Sequence, residues 1–286
     1  MCGDQEMKDL YVYECRGPSS PLNFPQFPGL LGIWPEPPFY YVFCREEGER
    51  VVRQWVEESA GWELRASYRL PYSRWQQFSR EDQKVGPFVI RWAGDLPSKC
   101  REWEGTTLLL EPGIIFGSGL HPTTRACLLL LDEWGRRFHP ESVVDFGTGT
   151  GILAIAAALL GAKRVFALDC NPLAVLLARR NMLLNRPEQE AHFIVCNEPG
   201  VLGKGMDLLM ANVEWPGLRK LLAAEDQLEK HRLIILSGFL EGQKGEFQSM
   251  LSENWKVIDE LNLDGWVALA AVNRRLEKGA GENPRQ

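Results

Sequence analysis

The stretch Asp145-Phe146-Gly147-Thr148-Gly149-Thr150-Gly151 and the later Asp169 carry residue types that can bind and orient a small ligand. Glycines at alternate positions let the backbone turn tightly and leave its amides open to a bound molecule. Asp169 stands twenty-four residues after Asp145, room for one helix between two strands. A carboxylate at such a strand end can accept both hydroxyls of a ribose. A dinucleotide-binding turn is spaced GxGxxG, whereas this one reads DxGxGxG. Asp145 would repel a pyrophosphate and attract a cationic or amino-bearing ligand. S-adenosylmethionine has an ammonium, a sulfonium and an adenosine ribose, and no phosphate. It fits the pattern better than a nicotinamide dinucleotide; the competing reading is a tight turn in an ordinary α/β domain.

These residues need a strand, a turn, a helix and a second strand to hold them. Val143 and Val144 open a short apolar strand, and an alanine-rich helix follows from about Ile152 to Leu160. Gly161 can end that helix with a positive φ. Arg164 to Leu168 is the second strand, closed by Asp169. Alternation of such units predicts a parallel sheet. Asn171-Pro172 starts the next helix, through about Leu184, and strands are expected at 191–196, 207–211, 233–239, 255–262 and 266–272. Asn212 falls at the end of one of them, followed by Val213, Glu214 and Trp215. Upstream, three glycines, His121, Thr123 and Thr124 precede the helix RACLLLLDEW, with Pro122 suited to its first turn. Phe116 can cover an aromatic ring, and His121 is expected to cap the helix or brace its loop.

The 286 residues allow one large domain and a small one. Hydrophobic content of 45% and charged content of 24% suit a folded soluble protein. A net charge of −6 argues mildly against nucleic-acid binding through the overall field. The acidic start is not a signal peptide, and the apolar runs are too short to span a bilayer. Seven cysteines without a CxxC predict reduced thiols in a cytoplasm. No residue cluster has metal-ligand spacing, so no metal is expected.

Toward the N-terminus, GPSSPLNFPQFPGLLGIWPEPP holds seven prolines and is expected to run as an extended loop packed on a neighbour. A strand at 38–44, a helix at 46–59 and a strand at 62–70 then make one β-α-β unit. A short helix is expected at 71–78, followed by strands at 85–92 and 106–110. The domain reading is a substrate-recognition lobe over 1–70, a linker region over 71–105, a cofactor-binding domain over 106–277 and a disordered tail over 278–286.

The blocks EPGIIFGSGLHPTTRACL, VVDFGTGTGILAIAAALLGAKRVFALDCNPLAVLLARRN, DLLMANV, LIILSGFL and GWVALAA, in this order, resemble the bacterial ribosomal protein L11 methyltransferase family over about residues 75–272. The resemblance implies a seven-stranded class I methyltransferase (Rossmann-like) α/β sheet with a terminal antiparallel strand. It also implies a small N-terminal α+β lobe like a reduced ferredoxin-like domain. The implied cofactor is S-adenosylmethionine and the implied substrate is L11, methylated on lysine and other amino nitrogens. Another protein lysine, a small amine, or a noncatalytic cofactor-binding module are the alternatives. By the resemblance, Thr123, Thr124, Asp145, Gly147, Gly149, Gly151, Asp169 and Asn212 would contact the cofactor; Phe116, Thr148 and Cys170 are further candidates for the same pocket. Asn212 would lie beside the reactive methyl, with Glu214 as a second candidate catalytic residue. The family carries an aliphatic, small-residue stretch where this chain has Val213-Glu214-Trp215. A cytoplasmic monomer is expected, with no membrane partner and no direct nucleic-acid substrate.

Overall fold

The computed structural model describes residues 9–18, 24–25, 27–36, 38–71, 82–93, 105–111, 119, 121–185, 189–201 and 204–277. The chain divides into two compact units, Met1–Ser79 and Arg80–Gln286.

The first unit contains β1 (Asp9–Arg16), β2 (Leu30–Glu36), β3 (Phe39–Cys44), α1 (Glu49–Glu58) and β4 (Glu63–Pro71). The strands form one antiparallel sheet in the order β2-β3-β1-β4. This is the strand order of a ferredoxin-like domain, with one of its two helices among the described residues. The sequence connecting β1 to β2 is the proline-rich stretch. Its Phe24 is buried, with its ring 4.8 Å from that of Trp55. The one helix contributes Val52 and Trp55 to the same core as Tyr13, Cys15, Val42 and Cys44. The expectation of a single β-α-β unit after an extended loop is therefore corrected: β1 and β2 flank the loop and complete the sheet. Pro35 lies within β2, an edge strand, where a missing N–H costs no ladder bond.

The second unit opens with β5 (Gln83–Val85), β6 (Phe88–Trp92) and β7 (Thr106–Leu110), paired as a three-stranded sheet. There follow α2 (Pro122–Phe138), β8 (Ser142–Phe146), α3 (Ile152–Leu159), β9 (Arg164–Asp169), α4 (Pro172–Asn185) and β10 (Glu190–Val195). Next come β11 (Leu208–Asn212), α5 (Trp215–Ala223), α6 (Glu225–Leu228) and β12 (Leu233–Leu240). The last elements are α7 (Lys244–Met250), β13 (Trp255–Leu263), β14 (Trp266–Asn273) and α8 (Arg274–Glu277). Seven strands make one sheet in the order β10-β9-β8-β11-β12-β14-β13. The pairs from β10 to β12 are parallel, and β14 is antiparallel to both neighbours. Every residue of β8 is buried, as a sheet covered on both faces requires. In α3, ILAIAAAL, seven residues are buried and four are alanines, so the helix can lie close on the sheet. Among the described residues no helix is long and apolar enough to cross a membrane. The expected helix at 71–78, Phe116 and the tail at 278–286 lie outside the described residues, apart from Pro71 at the end of β4.

Strand order reverses at β8, which has β9 on one side and β11 on the other. Ligands of open α/β sheets bind beyond the carboxyl ends of the strands at such a reversal. Asp145, Asp169 and Asn212 lie at the carboxyl ends of those three strands.

Candidate functional site

The glycine turn leaves β8 and enters α3. Gly147, Gly149 and Gly151 all have positive φ, at 76°, 55° and 84°, the region other residues adopt only with strain. The amides of Gly147 and Thr148 donate to the Leu168 carbonyl at 2.8 and 2.9 Å, tying the turn to β9. Gly151 also lies against the Ala178 backbone of α4, where an added Cβ would come within 3.0 Å.

Asp145 is 1% exposed. Its Oδ2 accepts from Thr148 Oγ1 at 2.6 Å and from the Ala154 amide at 3.1 Å. Its Oδ1 is buried with no hydrogen-bond partner among the described residues. Burial outweighs the two bonds and, with the nearby Asp169, pushes the carboxyl up to about 6. Asp169 accepts from the Gly149 amide through Oδ2 and from the Asn171 amide through Oδ1, both at 2.9 Å. A carboxylate oxygen has two lone pairs and can accept a ligand hydroxyl beside a protein donor. Burial raises its pKa despite those bonds and those from the thiol and backbone of Cys170. Cys170 is exposed beside it, a free thiol whose pKa is raised by partial desolvation of its sulfur and by the Asp169 charge.

On the β11 side, Asn212 Nδ2 donates to Thr124 Oγ1 at 3.1 Å. Thr123 and Thr124 are buried in the first turn of α2. His121 caps that helix: the Thr123 amide donates to Nδ1 at 3.4 Å, and Thr123 Oγ1 lies 2.8 Å from the same nitrogen. Burial lowers the His121 pKa, which favours the neutral ring that accepts at Nδ1. Its ring meets Trp266 edge-on at 5.0 Å. His121 thus braces the helix start that carries the threonine pair. Glu214 is exposed at the N-cap of α5 and makes no side-chain capping bond.

The structure therefore brings the glycine turn, Asp145, Thr148, Asp169 and Cys170 together, and joins Asn212 to Thr124 in the same unit. Asn181 escaped the sequence reading. It is fully buried in α4, donates to the Thr150 carbonyl at 2.8 Å and accepts from the Glu111 amide at 2.7 Å. Asn185, four residues on, bonds both the amide and the carbonyl of Leu109. Together they hold the glycine turn to the end of β7. Amides at i and i+4 on one helix were the available signal.

A buried carboxylate oxygen without a partner, next to an amide-lined turn and a second carboxylate, suits a ligand bearing a cationic amine and vicinal hydroxyls. The sheet order, its antiparallel β14 and the DxGxGxG turn define a class I methyltransferase domain. The family described as Ribosomal protein L11 methyltransferase (PrmA) matches residues 88–274, and the chain belongs to that family. Ribosomal protein L11 methyltransferase of Dichelobacter nodosus is 33% identical over 71% of this chain and 69% of its own length. That of Carboxydothermus hydrogenoformans is 34% identical over 69% and 64%. That of Thiobacillus denitrificans is 42% identical over 58% and 55%. The chain thus spans from about half to just over two thirds of these relatives' lengths. The crystal structure of ribosomal protein L11 methylase from Lactobacillus delbrueckii subsp. bulgaricus superposes with a TM-score of 0.58 at 26% identity, covering 66% of this chain and 96% of that one.

Proposed function

We propose that this protein methylates amino nitrogens of ribosomal protein L11, chiefly lysine side chains, using S-adenosylmethionine. The observation that carries the reading is the buried Asp145 Oδ1, without a partner among the described residues, at the glycine turn of a chain in this family. The residues present fit the cofactor. Asp145 would hold its ammonium, Asp169 its ribose hydroxyls, and the glycines would let it approach the turn. Thr148 and Cys170 would line the same side, Thr123 and Thr124 the side nearer Asn212, and Phe116 would cover the adenosine ring. When bound, the cofactor supplies an electrophilic methyl group on a sulfonium.

The chain's own task is to place a neutral amine and keep water out. A lysine ammonium has a reference pKa of about 10.4 and must lose a proton before it can attack. A desolvated site with a positive charge nearby favours the neutral form. Asn212, its side-chain amide held by Thr124, presents its carbonyl oxygen to orient the acceptor nitrogen. Glu214 is the exposed carboxylate two residues on and can draw in a cationic acceptor or take up the released proton. Residues 1–70 serve as the surface that recognises the protein substrate. A small metabolite would not need such a lobe.

The test is side-by-side methylation of purified L11, of cell protein depleted of L11, and of a pool of small amines. Label is expected on L11 lysine or N-terminal nitrogen by mass spectrometry. It should fall on deletion of residues 1–70 in a form that still folds and binds cofactor. Label confined to the depleted protein or the amines would overturn the L11 assignment and leave a methyltransferase with another acceptor. Cofactor binding without label in any pool would favour a noncatalytic module.

A further inference from the structure

Val213 follows the candidate reactive Asn212 and is gripped from two sides. On one side is Gly147 of the cofactor turn, where an added Cβ would overlap Val213 Cγ1. On the other is Gly238 in β12, where a Cβ would overlap the Val213 carbonyl oxygen and carbon. Gly238 has φ of 104° and lies at the break in the β12–β14 register between Ser237 and Phe239. A third glycine, Gly217 of α5, also faces Val213: a Cβ added there would lie 3.5 Å from Val213 Cβ and Cγ2. Val213 itself packs against the main core of the second unit. Its side chain therefore touches the turn that would hold the cofactor, while its backbone is wedged against the bulge of the neighbouring strand.

Two residues for the chemistry flank this wedge. Asn212 precedes it, anchored to Thr124 and paired in register with Ser237. Glu214 follows it at the start of α5. Packed interiors resist small displacements, so a wedge fixed at both faces sets where its two neighbours stand. We propose that Val213 is a positioning residue, a spacer between the cofactor turn and the acceptor-binding segment, and that its Cγ1 contact with Gly147 sets the distance over which the methyl group moves. The proposal rests on the methyltransferase reading above. In-line transfer is sensitive to such placement: a displacement of about 1 Å costs on the order of a hundredfold in rate.

The experiment compares wild type with Val213→Ala, Val213→Ile and the pair Gly147→Ala and Gly147→Ala/Val213→Ala. Binding of S-adenosylmethionine is followed by calorimetry, and kcat and KM by L11 methylation. Val213→Ala is expected to lower kcat roughly tenfold or more, leaving cofactor Kd and acceptor KM within about twofold. Val213→Ile, which keeps Cγ1, should recover most of kcat. The double variant should outperform Gly147→Ala, since it removes the atom the new methyl strikes. Unchanged kcat in Val213→Ala, or equal loss of kcat and cofactor affinity, would overturn the proposal. A second reading does not depend on turnover. The side-chain amide resonances of Asn212 in the cofactor-free protein should shift in Val213→Ala and return in Val213→Ile. No shift would overturn the spacer role even if no acceptor is found, whereas failure of wild type to methylate any acceptor counts against the methyltransferase reading alone.

Discussion

Asp145 and Asp207 stand at opposite ends of two adjoining parallel strands, and the fold treats them in opposite ways. Asp207 lies just before β11. Its Oδ2 accepts from the amides of Glu141 and Ser142 at 3.1 and 3.0 Å and from Ser142 Oγ at 2.9 Å, while Arg232 approaches Oδ1 at 3.3 Å. The Asp207 amide returns a bond to the same Ser142 oxygen at 3.1 Å. Burial alone would raise its pKa, but these bonds from Ser142 and Arg232 together hold it below the usual carboxylate range. Asp145, at the other end of β8, has one carboxylate oxygen unpaired among the described residues and is pushed up to about 6. The Asp207 carboxylate is spent on the scaffold, whereas the Asp145 carboxylate keeps one oxygen that no described residue engages. Satisfied polar groups stabilise a fold, whereas a buried one left open costs stability and marks a site where something binds.

The largest effect should come from the scaffold side. Asp207→Ala leaves the Glu141 and Ser142 amides and Arg232 without their acceptor and should cost about 3 kcal/mol of stability. Urea unfolding would measure it, and cofactor affinity of the folded fraction should stay within about twofold. A loss below about 0.5 kcal/mol would place Asp207 among ordinary surface acids. Asp145→Asn should do the reverse. Cofactor binding should weaken by about 1.5–3 kcal/mol, the range for a charged hydrogen bond, while stability at pH 7.5 equals or exceeds that of wild type. A strongly destabilised Asp145→Asn would erase the contrast between the two residues.

How much of this was visible in the sequence depends on the range of the interactions. The unit from β8 to β9 was legible because apolar runs, glycines and Asp169 all act within one short stretch. The proposed cofactor contacts were read from the same residues. The roles of Asp207 and Asn181 were not legible, since their partners lie 65 and 70 residues away, at Ser142 and Glu111. In the first unit, prolines concealed β2, because only its edge position makes Pro35 acceptable there. β1, with Asp9 and Glu14 in its sequence, earned its place by pairing with β3 and β4 rather than by its own pattern. The Val213 contacts with Gly147 and Gly238 needed the three-dimensional structure, as three separate segments meet there.

A smaller effect sharpens the contrast through pH. For Asp145 the folded pKa of about 6 lies above the unfolded reference of 3.8. Its contribution to stability is full below about 3.8 and is lost as pH rises through about 6. Asp207 has the opposite sign: its contribution is present above 3.8 and is lost as pH falls through its depressed folded pKa. Removing Asp145 by Asn should therefore flatten the stability profile between pH 4 and 6, and removing Asp207 should flatten it only at the acid end. Acid and neutral urea titrations of the two variants would show whether the profiles separate. The smallest effect is expected at Glu214, exposed on the acceptor side. Glu214→Gln should leave stability unchanged and lower kcat/KM for L11 roughly threefold, more at low salt than at high, as a rim charge that attracts a cationic acceptor would. Equal values at both salt concentrations would assign Glu214 no part in acceptor capture.

Calorimetric titration of the purified protein with S-adenosylmethionine at pH 7.5 and 5.5, for wild type and Asp145→Asn, bears most directly on the claim that the open carboxylate is a cofactor site. The wild type should bind one equivalent, more weakly at pH 5.5 as Asp145 takes up its proton. Asp145→Asn should bind at least about tenfold more weakly at pH 7.5 and lose most of that pH dependence. Wild type and variant binding alike at both pH values, or NAD binding in place of S-adenosylmethionine, would contradict it.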